Sequence, residues 1–169
     1  MNLQIVPECY ADTAFIEFLG FKNPNHKHGK GDVLGRMSGK YKNLMMIGLV
    51  DKDPHKSSPK ELDKFKVIKT IDDITLLQNH ENKGHYIISI HPAFERWILK
   101  IADESGISLS DFGLPTELKE LKNKVTGNIV LDHSPDFKRF LTALREKNPL
   151  PFDTIQSWCQ SVVDRKIIE

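Results

Sequence analysis

Cysteine is scarce in this chain. Cys9 and Cys159 stand near opposite ends of its 169 residues, too few and too far apart for a zinc ligand set or a disulfide framework, and a reducing compartment fits that usage. Long apolar runs are missing as well. The longest, residues 44–50, falls far short of the roughly 20 residues a membrane-spanning helix needs. The N-terminus also lacks the basic, apolar and small-residue regions of a secretory signal. A soluble, cytoplasmic protein with no membrane partner is therefore expected. Charge of one sign is absent too: 24 basic residues face 23 acidic ones, for a net charge of +1. That balance excludes the broad electrostatic footprint of a strong nucleic-acid binder, so any such contact must be local. There is no internal repeat and no low-complexity segment.

What is present is enough apolar side chain, 39% of residues, to bury one real core. Apolar runs alternate with segments of helical period, the pattern of an α/β layered domain with a mostly parallel sheet. Residues 3–7 read as a first strand. Ala14, Phe15, Phe18 and Leu19 then recur at helical spacing, and Gly20 supplies a stop. Residues 23–31, rich in Asn, Pro and Gly, read as a loop, after which Asp32 is expected to cap a short helix through Val33, Leu34 and Met37, ended by Gly39. Residues 44–50, apolar on both faces, suit a buried central strand. Two β-like runs follow at 65–71 and 74–78, then a strand at 85–90. Pro92 is expected to open a helix whose apolar face is Phe94, Trp97, Ile98 and Ile101, ending at Gly106. The remainder reads as helical, with starts at Pro115 and at Ser134-Pro135, and with Pro149 and Pro151 breaking the pattern before a last helix containing Ile155, Trp158 and Val162. The expected organisation is an α/β core over residues 1–105 and a helical C-terminal extension over 106–169 packed on it as one unit.

Two acidic stations carry the chemistry. Glu8 follows the first strand with Asp12 four residues on, and Asp51-Lys52-Asp53 follows the buried run. Adjacent parallel strands would bring both to one sheet edge. Carboxylates gathered there raise one another's pKa unless a cation sits between them, and oxygen-only ligands suit Mg²⁺ or Mn²⁺.

The segments Ile5-Val6-Pro7-Glu8-Cys9-Tyr10-Ala11-Asp12, His28-Gly29-Lys30-Gly31-Asp32-Val33 and Leu49-Val50-Asp51-Lys52-Asp53 together resemble the Toprim domain. That Rossmann-like fold is shared by topoisomerases, bacterial primases, small RNA-maturing nucleases and the overcoming-lysogenization-defect nucleases. The resemblance covers roughly the first 100 residues. It implies a mostly parallel sheet flanked by helices, with Glu8, Asp51 and Asp53 holding Mg²⁺ (or Mn²⁺) for phosphoryl transfer on DNA or RNA. By position, Asp12 matches a further acid of the nuclease branch, Gly29-Lys30 matches a Gly-Lys turn before the next helix, and Glu95 matches a later acid. In this reading Lys30 offsets charge on the scissile phosphate, Asp12 or Glu95 holds a second ion or acts as base, and His55 is a candidate proton carrier. Cys9 fills the place where family members usually carry Gly.

Competing readings of the same residues are plain. Gly29-Lys30-Gly31 is not a Walker motif, because position 25 is Asn and Asp32 replaces the hydroxyl residue. His26 and His28 read as solvated loop histidines. The lysines from Lys52 to Lys69 are interspersed with acids and read as a mixed solvated face. Trp97 and Trp158 lie on apolar helical stripes and read as core. Three function classes follow: a metal-dependent nuclease; a catalytically inactive Toprim-like interaction or regulatory module, with a protein partner on the helical C-terminal third; and a receiver-like domain with Asp51 as phosphoacceptor. Homo-oligomerisation is one way a near-neutral chain builds a nucleic-acid groove.

Overall fold

In a computed structural model, which describes residues 2–52, 59–121 and 134–168, five strands form one open sheet in the order β1-β2-β5-β4-β3. They are β1 (Ile5–Pro7), β2 (Met46–Asp51), β3 (Phe65–Ile71), β4 (Ile74–Asn79) and β5 (His85–Ile90). β1 pairs parallel with β2, and β2 parallel with β5, whereas β4 runs antiparallel to both its neighbours. The sheet is thus mixed, with β4 alone reversed. The cause is local: only Asp72 and Asp73 separate β3 from β4, and Asp72 adopts a positive φ of 49°, so this link is a tight hairpin rather than a crossover.

The helices are α1 (Tyr10–Phe18), α2 (Lys30–Ser38), α3 (Phe94–Glu104), α4 (Pro135–Lys147) and α5 (Pro149–Val163), with 3₁₀ turns at Lys60–Lys64 and Leu109–Phe112. Strand alternation sends two sets of side chains to opposite faces. Ile47, Leu49, Tyr86, Ile88, Ile90, Ile74 and Leu76 join α1, α3, α4 and α5 in the larger core, where Trp97 and Trp158 are also buried. Val6, Met46, Val50, Ile87 and Phe65 meet Val33, Leu34 and Met37 of α2 in a smaller one. No helix among the described residues is long and apolar enough to cross a membrane.

Several expected boundaries shift for physical reasons. The second helix starts at Lys30 rather than after Asp32: Gly29 occupies the N-cap with φ 101°, a conformation open to glycine at little cost, and Asp32 falls in the first turn. α3 begins at Phe94, with Ala93 as N-cap and Pro92 outside it in a cis peptide. Pro149 and Pro151 start α5 instead of breaking a pattern, because the first turn has no intrahelical amide to lose. Ser134 caps α4 by accepting from the Phe137 amide, as the Ser-Pro pair suggests. The helix expected from Pro115 runs into residues outside those described.

Both sheet edges are blunted. Along β1 the loop donates Asn25 N to Ile5 O, Lys27 N to Pro7 O and Gly29 N to Glu8 O, at 2.9, 3.0 and 3.1 Å. β3 carries Lys66 and Lys69 and a register irregularity between Val67 and Lys69, features that discourage strand addition.

α2 lies close to the sheet because β2 has no side chain at Gly48. A Cβ there would come within 2.6 Å of Val33 Cγ1 and 2.7 Å of Ile87 Cδ1. Gly48→Ala is expected to lower unfolding free energy by about 1–3 kcal/mol through overpacking. In urea titrations the Gly48→Ala/Val33→Ala double variant should lose less than the sum of the single variants; strict additivity would refute the contact.

Candidate functional site

The parallel register of β1 on β2 sets Pro7 opposite Leu49, which brings Glu8 and Asp51 to the same end of the sheet. Glu8 N donates to Leu49 O at 3.0 Å, and the Glu8 carboxylate (Oε2) accepts from the Asp51 amide at 3.1 Å. Asp51 in turn accepts at Oδ1 from the Phe94 amide at 2.8 Å. It thereby supplies the N-terminal acceptor that α3 lacks, since Ala93 has no polar side chain. Two carboxylates therefore tie β1, β2 and α3 together through backbone amides.

Asp12 is the third acid of the group. It sits in the first turn of α1, 1% exposed, and accepts from the Cys9 amide at 3.2 Å. Burial pushes its carboxyl well above the ordinary aspartate value; Asp51, Glu8 and Glu95 push it further, while the bond from Cys9 opposes them. Glu95 lies in the first turn of α3 and is 3% exposed. The charges of Glu8, Asp51 and Glu95, from three separate parts of the chain, thus all act on the Asp12 carboxyl. Cys9 adjoins it: burial, followed by the charge of Asp12, lifts its thiol far above the ordinary range, which makes it a neutral neighbour rather than a nucleophile. Burial alone pushes Cys159 up to about 12.

Lys30 opens α2 one residue after Gly29, whose amide is held by Glu8 O. The loop that pairs with β1 therefore delivers the lysine beside the acidic end of the sheet. Asp53 and His55 lie outside the described residues. Among those described, no three His, Cys, Asp or Glu side chains converge closely enough to hold a metal ion.

His26 departs from its solvated-loop reading, whereas His28 is exposed as expected. The His26 ring stacks on Tyr10 at 4.4 Å between centroids, 15° from parallel. Its Nδ1 lies 2.8 Å from Thr13 Oγ1, and that hydroxyl already donates to Cys9 O at 2.8 Å. The Thr13 proton being spent, Nδ1 carries the ring proton and donates. Nε2 is left as the basic nitrogen, buried and without a hydrogen-bond partner. Burial, with help from His28 and Lys27, lowers the His26 pKa against a backbone bond to Cys9, which favours the neutral ring. Only the fold around Tyr10 and Thr13 reveals this; nothing in the loop composition does.

Compared with known proteins, the chain matches no family model and has no significant match among curated proteins or solved structures.

Asp12 makes a signed prediction. Its folded pKa is raised, so the stability it contributes is complete below the ordinary value of 3.8 and is lost as pH rises through the higher folded value. Asp12→Asn keeps an acceptor for the Cys9 amide and offers its NH₂ to the neighbouring acids. At pH 7.5 without divalent ions, thermal melts should show the variant more stable than wild type, by about 2–4 °C for each kcal/mol regained, with the gap closing toward pH 4. A variant that is less stable at pH 7.5 would contradict the repulsion.

Proposed function

We propose that this protein is a Toprim-like, divalent-metal-dependent phosphoryl-transfer enzyme, a nuclease acting on DNA or RNA. The observation that carries the reading is the placement of Glu8 and Asp51 at one end of the sheet, joined through the Asp51 amide, beside an Asp12 carboxyl that is raised first by burial and then by the charges of Asp51, Glu8 and Glu95. Negative charges acting on a buried carboxyl oppose folding unless a proton or a cation offsets them, and hard oxygen donors fit Mg²⁺ or Mn²⁺. In this proposal Glu8 and Asp51, with Asp53, hold the ion; once bound, it supplies Lewis acidity and a lowered pKa for a coordinated water.

The chain's own residues supply the rest. Glu8 and Asp51 each accept a backbone amide at one oxygen, a bond that the amide side chains of Gln and Asn can also accept. Lys30 offsets negative charge on the scissile phosphate. Asp12, poised to carry a proton nearer neutral pH than an ordinary aspartate, suits proton transfer to or from the reacting oxygens. Glu95 adds charge for a second ion.

Asp51→Asn and Glu8→Gln retain the amide-accepting oxygen and remove the charge. Wild-type protein is expected to gain melting temperature with Mg²⁺ or Mn²⁺, both variants to lose that gain, and cleavage of single- or double-stranded DNA or RNA to fall about 10²-fold or more in each. Absence of any ion-dependent shift in the wild type would favour the inactive interaction module instead.

A further inference from the structure

α2 packs chiefly over β2, and beside it the same sheet face forms a cleft of about 140 Å³. Strand register builds its floor. Val50 pairs with Ser89 and Ser89 with Thr75, while Ile87 pairs with Leu77 and Leu77 with Val67. Leu62, from the 3₁₀ turn Lys60–Lys64, adds an apolar wall. Two cations, Lys30 and Lys52, complete the lining. Lys52 directly follows Asp51, so the cleft adjoins the acidic end of β2.

Three properties define an occupant. The volume matches one six-membered ring, since a cavity of about 150 Å³ takes benzene. The floor is aliphatic but carries two hydroxyls side by side. Neither the Ser89 nor the Thr75 hydroxyl makes a side-chain hydrogen bond among the described residues, so both are available to the polar edge of a ring. Neither lysine side chain has an ion pair there either, and Lys30 stands at the N-terminus of α2, where unpaired amides and the helix dipole favour an anion. A flat ring with hydrogen-bonding edges joined to a phosphate has this complementarity.

We infer that the cleft binds a pyrimidine nucleotide, its base against the β2-β5-β4-β3 floor with Ser89 and Thr75 at its edge, and its phosphate at Lys30 and Lys52. The choice of ligand rests on the phosphodiester reading above. As part of a nucleic-acid strand, the nucleotide would present the phosphate held by Lys30 and Lys52 to Asp51 and Glu8 as the scissile one.

Titration of metal-free protein in EDTA with UMP, AMP and inorganic phosphate, followed by amide chemical shifts, tests the assignment. UMP should bind at least about tenfold tighter than AMP or phosphate, perturbing amides of Thr75, Leu77, Ile87 and Ser89. Lys30→Ala and Lys52→Ala should each weaken it about tenfold, and Thr75→Val should reduce the preference for UMP over phosphate. Equal binding of all three ligands, or perturbations confined to other surfaces, would overturn the proposal. UMP binding without cleavage of any nucleic acid would uphold the cleft and sink the nuclease. Mg²⁺-dependent cleavage of poly-A and poly-U at equal rates, with no UMP binding, would do the reverse.

Discussion

The parallel pairing of β1 with β2 is the constraint on which the remaining arrangement depends. It sets Glu8 level with Asp51, lets one carboxylate hold the next strand's amide, and lets the second hold the amide that starts α3. A slip of one residue would send the alternating core residues of β1 to the wrong face and part the two acids together. The larger core, built on Ile5, Ile47 and Leu49, and the acidic cluster are therefore specified by the same register. Structural and chemical roles coincide at Glu8 and Asp51, and the electrostatic strain falls on Asp12, which has nowhere to go because α1 is buried along that side.

Much of this was legible in the residues because burial on two faces leaves a continuous apolar signature. Residues 44–50 and 85–90 show it and became the interior strands β2 and β5. The apolar face of α3 was equally visible, since Trp97, Ile98 and Ile101 recur at helical spacing and all are buried. Helix starts were harder to read. A proline or an aspartate is favoured both just outside and just inside a first turn, so Pro92, Pro149 and Asp32 gave no unique boundary; the glycine at 29, with its positive φ, decided the case of α2. Strand direction at β4 turned on the length of a two-residue link, which composition underplays.

The site divides along similar lines. Glu8 and Asp51 could be placed side by side from strand order alone, because sequence position at a strand end is also spatial position. Glu95 entered only through the Toprim resemblance, and its burial had no sign in the residues around it. His26 was missed: its character comes from Tyr10 and Thr13, on a helix that the loop merely passes. The lysines at 30 and 52 were readable as basic residues, but the aliphatic floor they border is assembled from four strands and has no linear signature.

The last helix closes the fold on its first strand. Gln4 Nε2 donates to Val162 O, Gln156 Nε2 to Leu19 O, and Ile168 N to the Tyr86 hydroxyl, at 2.7, 2.7 and 3.2 Å, while Ile155, Val162 and Ile168 fill the same core as Ile5 and Phe15. The segments at residues 4–19 and 155–168 thus seal one another. Removing α5 would therefore uncover core that α1 and α3 alone do not close, so the first strand and the last helix are expected to form and melt together.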